Sequence, residues 1–540
     1  EMQRSLVGSE MCIRDRLMKG RRYPLGIQTF KNIIEGNYVY VDKTDLIYEL
    51  VHEKKYCFLS RPRRFGKSLL VTTLQAYFEG KKELFKGLKL EALEKDWEKH
   101  PVIHLDLSKG KYYNMESLIE TLDKILETYE DLYQITSVST EAFNVRLIRI
   151  INAAKQKTDR NVVVLVDEYD APMHDSMKDK DLQDKIRDIM RNFFSPLKAE
   201  EDNLHFVFLT GISKFSQLSI FSELNNITNI SMWDKYSSIC GISKEELLEN
   251  FHDDIEELAQ ANDMNYEEAL AELRYNYDGY HFSGKGADMY NPYSMFNCLE
   301  THEFDSYWFS TGTPTFLIEL LQEKNVDMLQ LDDIWTTSDR FDTPTEKIVD
   351  PVPVLYQSGY LTIKSYNRLA KLYKLAFPNE EVRKGFSNSL FRYYAPDGMG
   401  DRDAIYMAWA KNFILSAEDN MEAFLPHLQT FYKKFPYTLV NNNERHYQAV
   451  LYTILLILGC DVTPEMPTSD GRIDMVLKTK RSIYVMELKY KKDTEVAMEQ
   501  IDCKDYLAAF ADDSRKKYKV DINFSEDRRS IDDWKVEALA

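Results

Sequence analysis

The feature that most constrains the fold is an unbroken apolar run, Val162–Val166, which ends directly in Asp167-Glu168. A short run without alternating polar residues is typical of a strand buried on both faces of a parallel sheet. Further short strands are predicted at Lys55–Ser60, Val102–Leu107 and His205–Thr210, with helical patterns between them. Strands that alternate with helices indicate an α/β domain with a doubly wound parallel sheet.

Length and composition set the remaining bounds. At about 100–200 residues per domain, 540 residues predict roughly two to four domains. Hydrophobic residues make up 44% and charged residues 29% of the chain, which is ordinary for a globular protein and excludes a disordered one. The net charge of −19 argues against a surface that is basic throughout, although it leaves room for a local basic groove.

Cysteine usage and hydropathy indicate the compartment. The six cysteines form no CxxC pair, so we interpret them as free thiols in a reducing compartment and not as a disulfide framework or zinc site. We find no signal peptide near the start. The apolar run Leu451–Cys460 is about half as long as a membrane span. We therefore expect a cytoplasmic protein without membrane contact.

The sequence suggests four segments. Residues 1–19 are expected to be a non-native or disordered leader, with the native start at Met18, because residues 1–16 show no clear periodicity. We predict a phosphate-binding α/β domain over 20–240, a mostly helical linking region over 241–400 and a C-terminal α/β domain over 401–540.

Some local elements are also predicted. Val39–Val41 has the pattern of a short strand, and Asp42 or Thr44 can cap the helix that follows. In the linking region, Lys244–Ala261 and Tyr266–Arg274 have the pattern of acidic amphipathic helices.

A phosphate-binding loop is predicted where the strand at 55–60 runs into Arg61-Pro-Arg-Arg-Phe-Gly-Lys-Ser68 and then a helix. Backbone N–H groups at such a helix start bind phosphate, Lys67 reaches the β- and γ-phosphates, and the Ser68 hydroxyl binds Mg²⁺. The usual pattern, GxxxxGK[ST], has a glycine at position 61, where this chain has arginine. The candidate nucleotide-binding residues are Arg63, Arg64, Phe65, Gly66, Lys67, Ser68, Asp167 and Thr210.

The ends of two further strands complete this prediction. A carboxylate at the end of the apolar strand, Asp167, is placed to reach the Mg²⁺ shell, and Glu168 is placed to orient an attacking water. The next strand ends at Thr210, with Ser213 and Lys214 just after it. A polar residue there can contact the γ-phosphate or the water. The set predicts binding of ATP or GTP, and hydrolysis at the same site.

A second constellation lies near the C-terminus. If two strands flank a tight turn centred on Lys480-Arg481, then Asp474 lies directly opposite Glu487, and Lys489 shares their face. Opposed carboxylates in a sheet destabilise it, and a divalent cation between them removes that cost. Lys489 can then position or activate water, or stabilise the charge that develops on the phosphorus centre.

Other residues support this second site. Glu444, at the start of a helix, can supply another carboxylate to the metal, and Gln500 and Tyr506 lie on a following helix. The alternative is an edge hairpin with solvated charges. Apolar residues on both faces, such as Val485 and Leu488, argue against that alternative.

These motifs resemble two known families. The resemblance to the AAA-ATPase-like family is carried by Tyr23–Phe30, Tyr40–Thr44, Arg61–Ser68, Val166–Pro172, Leu209–Phe215 and Leu224–Asn226. The segments that look like the PD-(D/E)XK nuclease-like domain are Glu444, Gly471–Asp474, Glu487–Lys489 and Gln500. The resemblance implies an ATP-binding P-loop module, in a family where arginine at position 61 is the norm, coupled to a Mg²⁺-dependent nuclease. Mn²⁺ is an alternative metal at the nuclease site.

We therefore expect an ATP-regulated, Mg²⁺-dependent nuclease that acts on DNA rather than RNA, by analogy in defence or mobile-element biology. The expected catalytic residues are Glu168, Asp474, Glu487 and Lys489, and the expected metal ligands are Ser68, Asp167, Glu444, Asp474 and Glu487. Basic clusters, among them Lys478–Arg481 and Arg515–Lys519, are expected to bind the nucleic-acid strand locally. The alternative is an ATP-dependent signalling or interaction switch whose nuclease-like domain only binds nucleic acid or protein. The sequence leaves assembly into a homo-oligomer open.

Overall fold

The computed structural model describes residues 22–136, 141–177, 179–213, 226–310, 317, 320, 329, 331–342, 350–394, 399–433, 444–468, 471–490, 510–525 and 530–538. The chain divides into two compact units, Glu1–Thr311 with Asp333–Glu381, and Gly312–Asp332 with Val382–Ala540. Residues 241–310 thus belong to the first unit, and the domain boundaries expected at 240 and 400 stay predictions. No helix among the described residues is long and apolar enough to cross a membrane.

The first unit contains a five-stranded sheet in the order β2-β3-β4-β1-β5. Its strands are β1 (Tyr56–Ser60), β2 (Val102–Asp106), β3 (Val162–Asp167), β4 (Leu204–Gly211) and β5 (Thr228–Asn229). All neighbouring strands are parallel. Every residue of β3 is buried, as the unbroken apolar run predicts. The predicted parallel α/β architecture is therefore present.

The register of this sheet brings three strand ends together. Strand β4 lies between β1 and β3, with Ser60 paired to Gly211 and Val166 paired to Leu209. Because parallel strands all end at the same edge, the loop after β1 and the acidic residues after β3 lie on either side of the end of β4.

Helices connect these strands. Those that precede residue 200 are α1 (Phe30–Glu35), α2 (Thr44–Glu53), α3 (Lys67–Phe78), α4 (Lys89–Leu93), α5 (Met115–Tyr133), α6 (Phe143–Thr158), α7 (Ala171–Asp175), α8 (Lys180–Phe194) and α9 (Pro196–Ala199). On α5, Leu118, Leu122 and Leu126 recur every four residues and are all buried in the core beside the sheet. This spacing places one apolar stripe of the helix against the sheet.

The strand predicted at Val39–Val41 was wrong. Only Tyr38 makes a bridge, to Arg22, and it is isolated. Val39 is instead buried in a mainly helical cluster that includes Leu247. Neither Asp42 nor Thr44 is the cap of α2, because the N-cap is Lys43, whose side chain makes no capping hydrogen bond. Asp42 Oδ1 instead accepts hydrogen bonds from the backbone N–H and the hydroxyl of Thr44, the first residue of the helix.

The remainder of the first unit is mostly helical, with two small sheets. Its helices are α10 (Lys244–Asn250), α11 (His252–Ala261), α12 (Tyr266–Tyr277), α13 (Pro292–Thr301), α14 (Tyr307–Ser310), α15 (Ser338–Phe341) and α16 (Val352–Gln357). Its strands are β6 (Ile242–Ser243), β7 (Met289–Tyr290), β8 (Ile334–Thr336), β9 (Thr362–Asn367) and β10 (Leu372–Ala376). The last three strands form an antiparallel sheet in the order β8-β10-β9.

The single helix expected over Lys244–Ala261 is two helices, α10 and α11. They separate at Phe251, which leaves helical geometry with φ −132° and ψ 25°. Its buried ring packs against both Tyr23 and Phe296, at centroid distances of 6.5 and 5.7 Å. Packing of this ring in the core thus explains the break.

The C-terminal part combines helices with a second five-stranded sheet, in the order β11-β12-β13-β14-β15. The helices are α17 (Glu380–Tyr394), α18 (Met399–Trp409), α19 (Met421–Lys433) and α20 (Glu444–Ile457), and the strands are β11 (Asp461–Thr468), β12 (Gly471–Lys478), β13 (Ser482–Tyr490), β14 (Lys516–Ser525) and β15 (Ser530–Ala538). The sheet is antiparallel except for the parallel pair β13 and β14.

The predicted hairpin register is confirmed. Met475 pairs with Met486 and Lys478 with Ile483, so the turn is centred on Lys480-Arg481. The pairing ends at Met475 and Met486, one position before Asp474 and Glu487, and the Asp474 carboxylate continues the contact to β13 by accepting from the Leu488 backbone N–H. Apolar side chains such as Met486 and Leu488 face the core that includes α20, so the alternating residues Glu487 and Lys489 face the other side.

Candidate functional site

The loop between β1 and α3 has the backbone of a phosphate-binding loop. Gly66, just before α3, is left-handed with φ 89°. A Cβ added there would meet nothing within 4 Å, so backbone conformation and not space accounts for the glycine. Arg64 is also left-handed, with φ 68°. The chain thus turns sharply into the start of α3, where the first N–H groups have no partner within the helix.

Lys67 lies under this loop and is buried. Its Nζ donates hydrogen bonds to the carbonyl oxygens of Arg61 and Pro62, both at 3.0 Å. Burial lowers the pKa of Lys67, and the nearby carboxylates of Glu168 and Asp167 oppose that shift. The amine is therefore held close to the loop that would receive phosphate.

Ser68 and Asp167 form the pair expected at a Mg²⁺ site. The Ser68 hydroxyl donates to the Asp167 carboxylate, and burial raises the pKa of Asp167 to about 6. Asp167 is 3% exposed, and its Oδ1 has no hydrogen-bond partner within the described part of the chain. A hydroxyl and a carboxylate with a free oxygen are ligands that suit Mg²⁺. The residues present therefore fit the ion.

A cavity of about 410 Å³ opens beside this loop. Arg63, Arg64, Gly66, Lys67, Ser68 and Glu168 line it, as expected for nucleotide-binding and catalytic residues. Leu25, Ile27, Tyr293 and Phe296 also line it and make part of it apolar. The Arg64 guanidinium lies 4.8 Å from the centroid of the Tyr293 ring. The cavity therefore combines a basic phosphate site with an apolar wall.

Three predicted nucleotide-binding residues lie outside the lining of this cavity, namely Asp167, whose contact with Ser68 is given above, Phe65 and Thr210. The Phe65 ring is buried and packs edge-on against Tyr280 and Phe282, at centroid distances of 4.7 and 5.3 Å. The Thr210 hydroxyl donates to the Leu59 carbonyl at 2.8 Å, within the sheet. Only the backbone of Phe65 can therefore contact phosphate. The Thr210 hydroxyl joins β4 to β1, the strand that leads into the loop.

Arg61, at the position where the usual pattern has glycine, is buried under the loop. Its guanidinium donates to the carbonyls of Ser60, Ser231 and Tyr236 at 2.9, 2.8 and 3.1 Å. It also lies 4.2 Å from the centroid of the Phe282 ring. Burial lowers the pKa of Arg61 to about 10. The arginine thus joins the phosphate-binding loop to a distant part of the chain.

A polar cluster beside the cavity was only partly anticipated. Asp170 is buried, and its Oδ2 accepts from the backbone of Ile212 and Ser213 at 2.9 and 2.7 Å. His174 Nε2 lies 3.0 Å from the same oxygen and 2.8 Å from Ser213 Oγ. Burial opposes ionisation of Asp170, but His174 and these hydrogen bonds outweigh it and lower its pKa. The spacing of Asp170 and His174, one helical turn apart, was the available signal. Lys214 lies outside the described residues.

The C-terminal constellation comes together as predicted. Lys489 Nζ donates to Glu487 Oε2 at 2.8 Å and lies 3.8 Å from Asp474 Oδ2. Asp474 Oδ2 also accepts from the backbone N–H of Leu488 at 2.8 Å, which fixes the carboxylate across the hairpin. The structure therefore gathers two carboxylates and one ammonium on one face of β12 and β13.

The electrostatics of this cluster leave one oxygen free. Glu487 is 0% exposed, and its Oε1 has no hydrogen-bond partner among the described residues. Burial, followed by the charge of Asp474, raises the pKa of Glu487 to about 7. Burial opposes the charge of Lys489, but its hydrogen bond to Glu487 and the nearby carboxylates outweigh this and raise its pKa. A divalent cation at the free oxygen fits this donor set.

Helix α20 supports the same site. Glu444 is close enough for its charge to act on Lys489. Gln448, which the sequence reasoning missed, donates from Nε2 to the Asp474 carbonyl at 2.7 Å and to Glu465 Oε1 at 2.8 Å. Its signal was the four-residue spacing from Glu444, which places both on one helix face. Gln500 and Tyr506 lie outside the described residues.

The basic surface that was expected to bind nucleic-acid phosphates is only partly present. Arg481 Nη1 pairs with Asp419 Oδ1 at 2.9 Å, and Arg515 Nη2 pairs with Asp513 Oδ2 at 2.6 Å. These arginines, which the sequence suggested for nucleic-acid phosphates, are therefore already neutralised by acidic neighbours. Their clusters give a weaker basic surface than the sequence alone implies.

Two parts of the chain match known families. Residues 24–221 match the family described as predicted AAA-ATPase, and residues 442–534 match the PD-(D/E)XK nuclease superfamily. The first span contains the phosphate-binding loop with Asp167 and Glu168, and the second contains α20 and the carboxylate–lysine cluster. The fold and the sites thus define an ATPase-like protein with a nuclease-superfamily domain.

The family follows from a full-length relative. An uncharacterized protein in the vnfD 5′ region of Azotobacter chroococcum mcd 1 is 33% identical over 540 residues, covering 97% of this chain and 100% of that protein. The chain therefore belongs to the AAA-ATPase-like family, with a C-terminal domain of the PD-(D/E)XK nuclease superfamily. The Aeropyrum pernix ORC2 protein, solved in ADPNP–ADP complexes, matches 70% of this chain and 98% of its own at 10% identity, but a TM-score of 0.26 defines no common fold.

Proposed function

We propose that the protein binds and hydrolyses ATP at the phosphate-binding loop and, under control of that nucleotide, hydrolyses phosphodiester bonds at its C-terminal site. The observation that carries the proposal is the buried pair of Glu487 and Lys489 facing Asp474. The proposed substrate is DNA rather than RNA, the proposed metal is Mg²⁺ or Mn²⁺, and the proposed compartment is the cytoplasm. A role in defence or mobile-element biology belongs to the proposal by analogy alone.

The cavity supports one orientation for ATP. The phosphates would lie at the start of α3, where backbone N–H groups point outward and Lys67 supplies positive charge. The base would lie against the apolar wall near Leu25 and Phe296. In this orientation the charged phosphates contact the loop, and the aromatic base contacts apolar side chains.

Residues around the γ-phosphate position supply the hydrolytic chemistry. Mg²⁺ bound by Ser68 and Asp167 would neutralise charge on the phosphate oxygens. Glu168 lines the cavity next to them and would orient the attacking water and accept its proton. Lys67 would exchange its hydrogen bonds to loop carbonyls for bonds to phosphate.

At the C-terminal site the carboxylates and the lysine have different roles in the proposed reaction. A divalent cation there would act as a Lewis acid on the phosphodiester. Asp474 and the free Oε1 of Glu487 would bind it, with Glu444 in support. Lys489, held by Glu487 Oε2, would donate a hydrogen bond to the attacking water or to the phosphoryl oxygen on which charge develops.

The test is a cleavage assay with the full chain. Plasmid DNA, single-stranded DNA and RNA are incubated with Mg²⁺ or Mn²⁺, with and without ATP. Wild type is expected to cleave DNA, and Glu487→Ala and Lys489→Ala are expected to lose at least about 100-fold of that rate. Lys67→Ala is expected to remove the effect of ATP but to keep the metal-dependent chemistry.

Matched variants control for changes of charge alone. Glu537→Ala removes a partly buried carboxylate from β15, and Lys433→Ala removes an exposed ammonium from α19. Both variants are expected to cleave as wild type does. If wild type and the site variants were equally inert on every substrate, the C-terminal domain would be a binding module, as in the alternative of an ATP-dependent switch.

A further inference from the structure

Asp521, on β14, is a buried carboxylate that the chemistry above does not use. It is 0% exposed, and neither of its carboxylate oxygens has a hydrogen-bond partner of good geometry among the described residues. Burial raises the pKa of Asp521 to about 7, which the charge of Lys489 and the nearby backbone N–H of Ile522 oppose. Burying a polar group without a partner is unfavourable, and most buried polar atoms are paired for that reason. Two free oxygens on one buried side chain therefore indicate a ligand.

The sheet register shows where that ligand would lie. Strands β13 and β14 are parallel, and Glu487 is the direct partner of Asp521. Partners in a sheet point to the same face, and neighbouring strands are about 4.7–4.9 Å apart. Asp474 occupies the equivalent position on the other side of Glu487. Three carboxylates thus form one row across β12, β13 and β14, with Glu487 in the middle.

Glu487 has one oxygen available for a shared ion. Its Oε2 accepts from Lys489, whereas its Oε1 is unpartnered among the described residues. The ammonium of Lys489 also acts on Asp521, where it partly offsets the effect of burial. The register makes Asp521 and Glu487 direct neighbours on adjacent strands. A cation with oxygen ligands at about 2.0–2.2 Å can bridge carboxylates at that strand spacing.

We propose that Asp521 is a ligand of a divalent cation that Glu487 binds through Oε1, so that the metal site extends one strand beyond the Asp474–Glu487 pair. The inference rests on the proposed function only in requiring a cation at Glu487. Hard cations such as Mg²⁺ and Mn²⁺ prefer carboxylate oxygens, and the row supplies them without a further side chain.

The test is calorimetric titration of Mn²⁺ into the full chain without nucleotide. All proteins carry Asp167→Asn, which removes the ligand expected to bind cation at the phosphate-binding loop. Asp521→Asn is expected to weaken Mn²⁺ binding at least about tenfold. The matched control is Asp512→Asn, which removes one exposed carboxylate from the segment before β14. It is expected to bind Mn²⁺ as its parent does.

Glu487→Gln separates failure of this inference from failure of the proposed function. If Glu487→Gln weakens Mn²⁺ binding and Asp521→Asn does not, Asp521 is not a ligand and the proposed site stands. If neither variant changes Mn²⁺ binding, both the proposed metal site and this inference are refuted. Circular dichroism and ATP affinity, measured on the Asp521 variant with Asp167 intact, check folding. If Asp521→Asn does not fold, Asp521→Ser is titrated and interpreted in the same way.

Discussion

Lys489 Nζ donates to Glu487 Oε2 at 2.8 Å and lies 3.8 Å from Asp474 Oδ2, so one buried ammonium compensates two carboxylates from neighbouring strands. Burial and the charge of Asp474 already raise the pKa of Glu487 to about 7, and loss of Lys489 would raise it further, so ionising both carboxylates at pH 8 would cost stability. We expect Lys489→Ala to lower the free energy of unfolding by about 3–5 kcal/mol at pH 8.

The same relationship predicts a difference in response to metal. Mn²⁺ should raise the melting temperature of Lys489→Ala by more than that of wild type, because a cation replaces the missing charge. Thermal unfolding with and without Mn²⁺ measures this, with Lys478→Ala as the control that responds as wild type does. An equal response in wild type and Lys489→Ala would contradict a cation site between these carboxylates.

Glu381 predicts a pH dependence of stability that is independent of the metal sites. Burial raises its pKa to about 7 from an ordinary 4.5. Between these values the folded protein keeps a proton that the unfolded chain has released, so stability falls as pH rises through this window. The loss is on the order of 3 kcal/mol above pH 7. Glu381→Gln should remove it.

Chemical denaturation of Glu381→Gln and wild type from pH 4 to pH 8 measures this effect as the difference between the two curves. The difference should grow in favour of the variant as pH rises. Glu300→Gln, at an exposed position on α13, should follow wild type throughout. A constant difference between wild type and Glu381→Gln would show that Glu381 does not titrate in this range.

The C-terminal site shows what sequence can and cannot provide. The hairpin of β12 and β13 is local, so a turn at Lys480-Arg481 and alternating apolar residues were enough to place Asp474 opposite Glu487. Asp521 was missed because β14 pairs in parallel with β13 and no short turn connects them. A non-local parallel pair carries no register signal in the chain itself.

In the phosphate-binding loop, too, the local features were predictable from the sequence and the non-local contact was not. The strand, the loop and the helix start are contiguous in sequence, and they were predicted together with Asp167. The role of Arg61 was not predictable, because its acceptor Ser231 lies 170 positions along the chain. Without that partner, position 61 could be described only as a departure from the glycine pattern.

Arg61 therefore predicts that restoring the glycine pattern harms this protein. Arg61→Gly leaves the carbonyls of Ser60 and Ser231 without this donor, whereas the Tyr236 carbonyl still accepts from the backbone N–H of Ile239. Each unsatisfied buried group costs about 1–3 kcal/mol, so we expect a loss of at least about 2 kcal/mol in the free energy of unfolding. Arg63→Gly, at an exposed position in the same loop, should be far less destabilising in urea denaturation. Equal stability of Arg61→Gly and wild type would contradict this role.

Lys67 predicts loss of nucleotide binding without loss of fold. Its amine is the buried cation nearest the proposed phosphates, and hydrogen bonds to charged groups contribute about 1.5–3 kcal/mol. Lys67→Ala should therefore weaken binding of a fluorescent ATP analogue at least about tenfold. Lys82→Ala, at an exposed position beyond α3, is the control. Unchanged binding in Lys67→Ala would refute the phosphate site.

Glu168 predicts a separation of ATP binding from ATP hydrolysis. It lines the cavity beside Lys67 and Ser68, and its left-handed backbone, with φ 49°, turns the chain just after β3. Glu168→Gln keeps the size of the side chain but removes the base, so we expect the rate of phosphate release to fall at least about 100-fold while ATP affinity is retained. Glu120→Gln, at an exposed position on α5, should keep both activities. If Glu168→Gln hydrolysed ATP at the wild-type rate, another group would have to activate the water, and the assignment of Glu168 would fail.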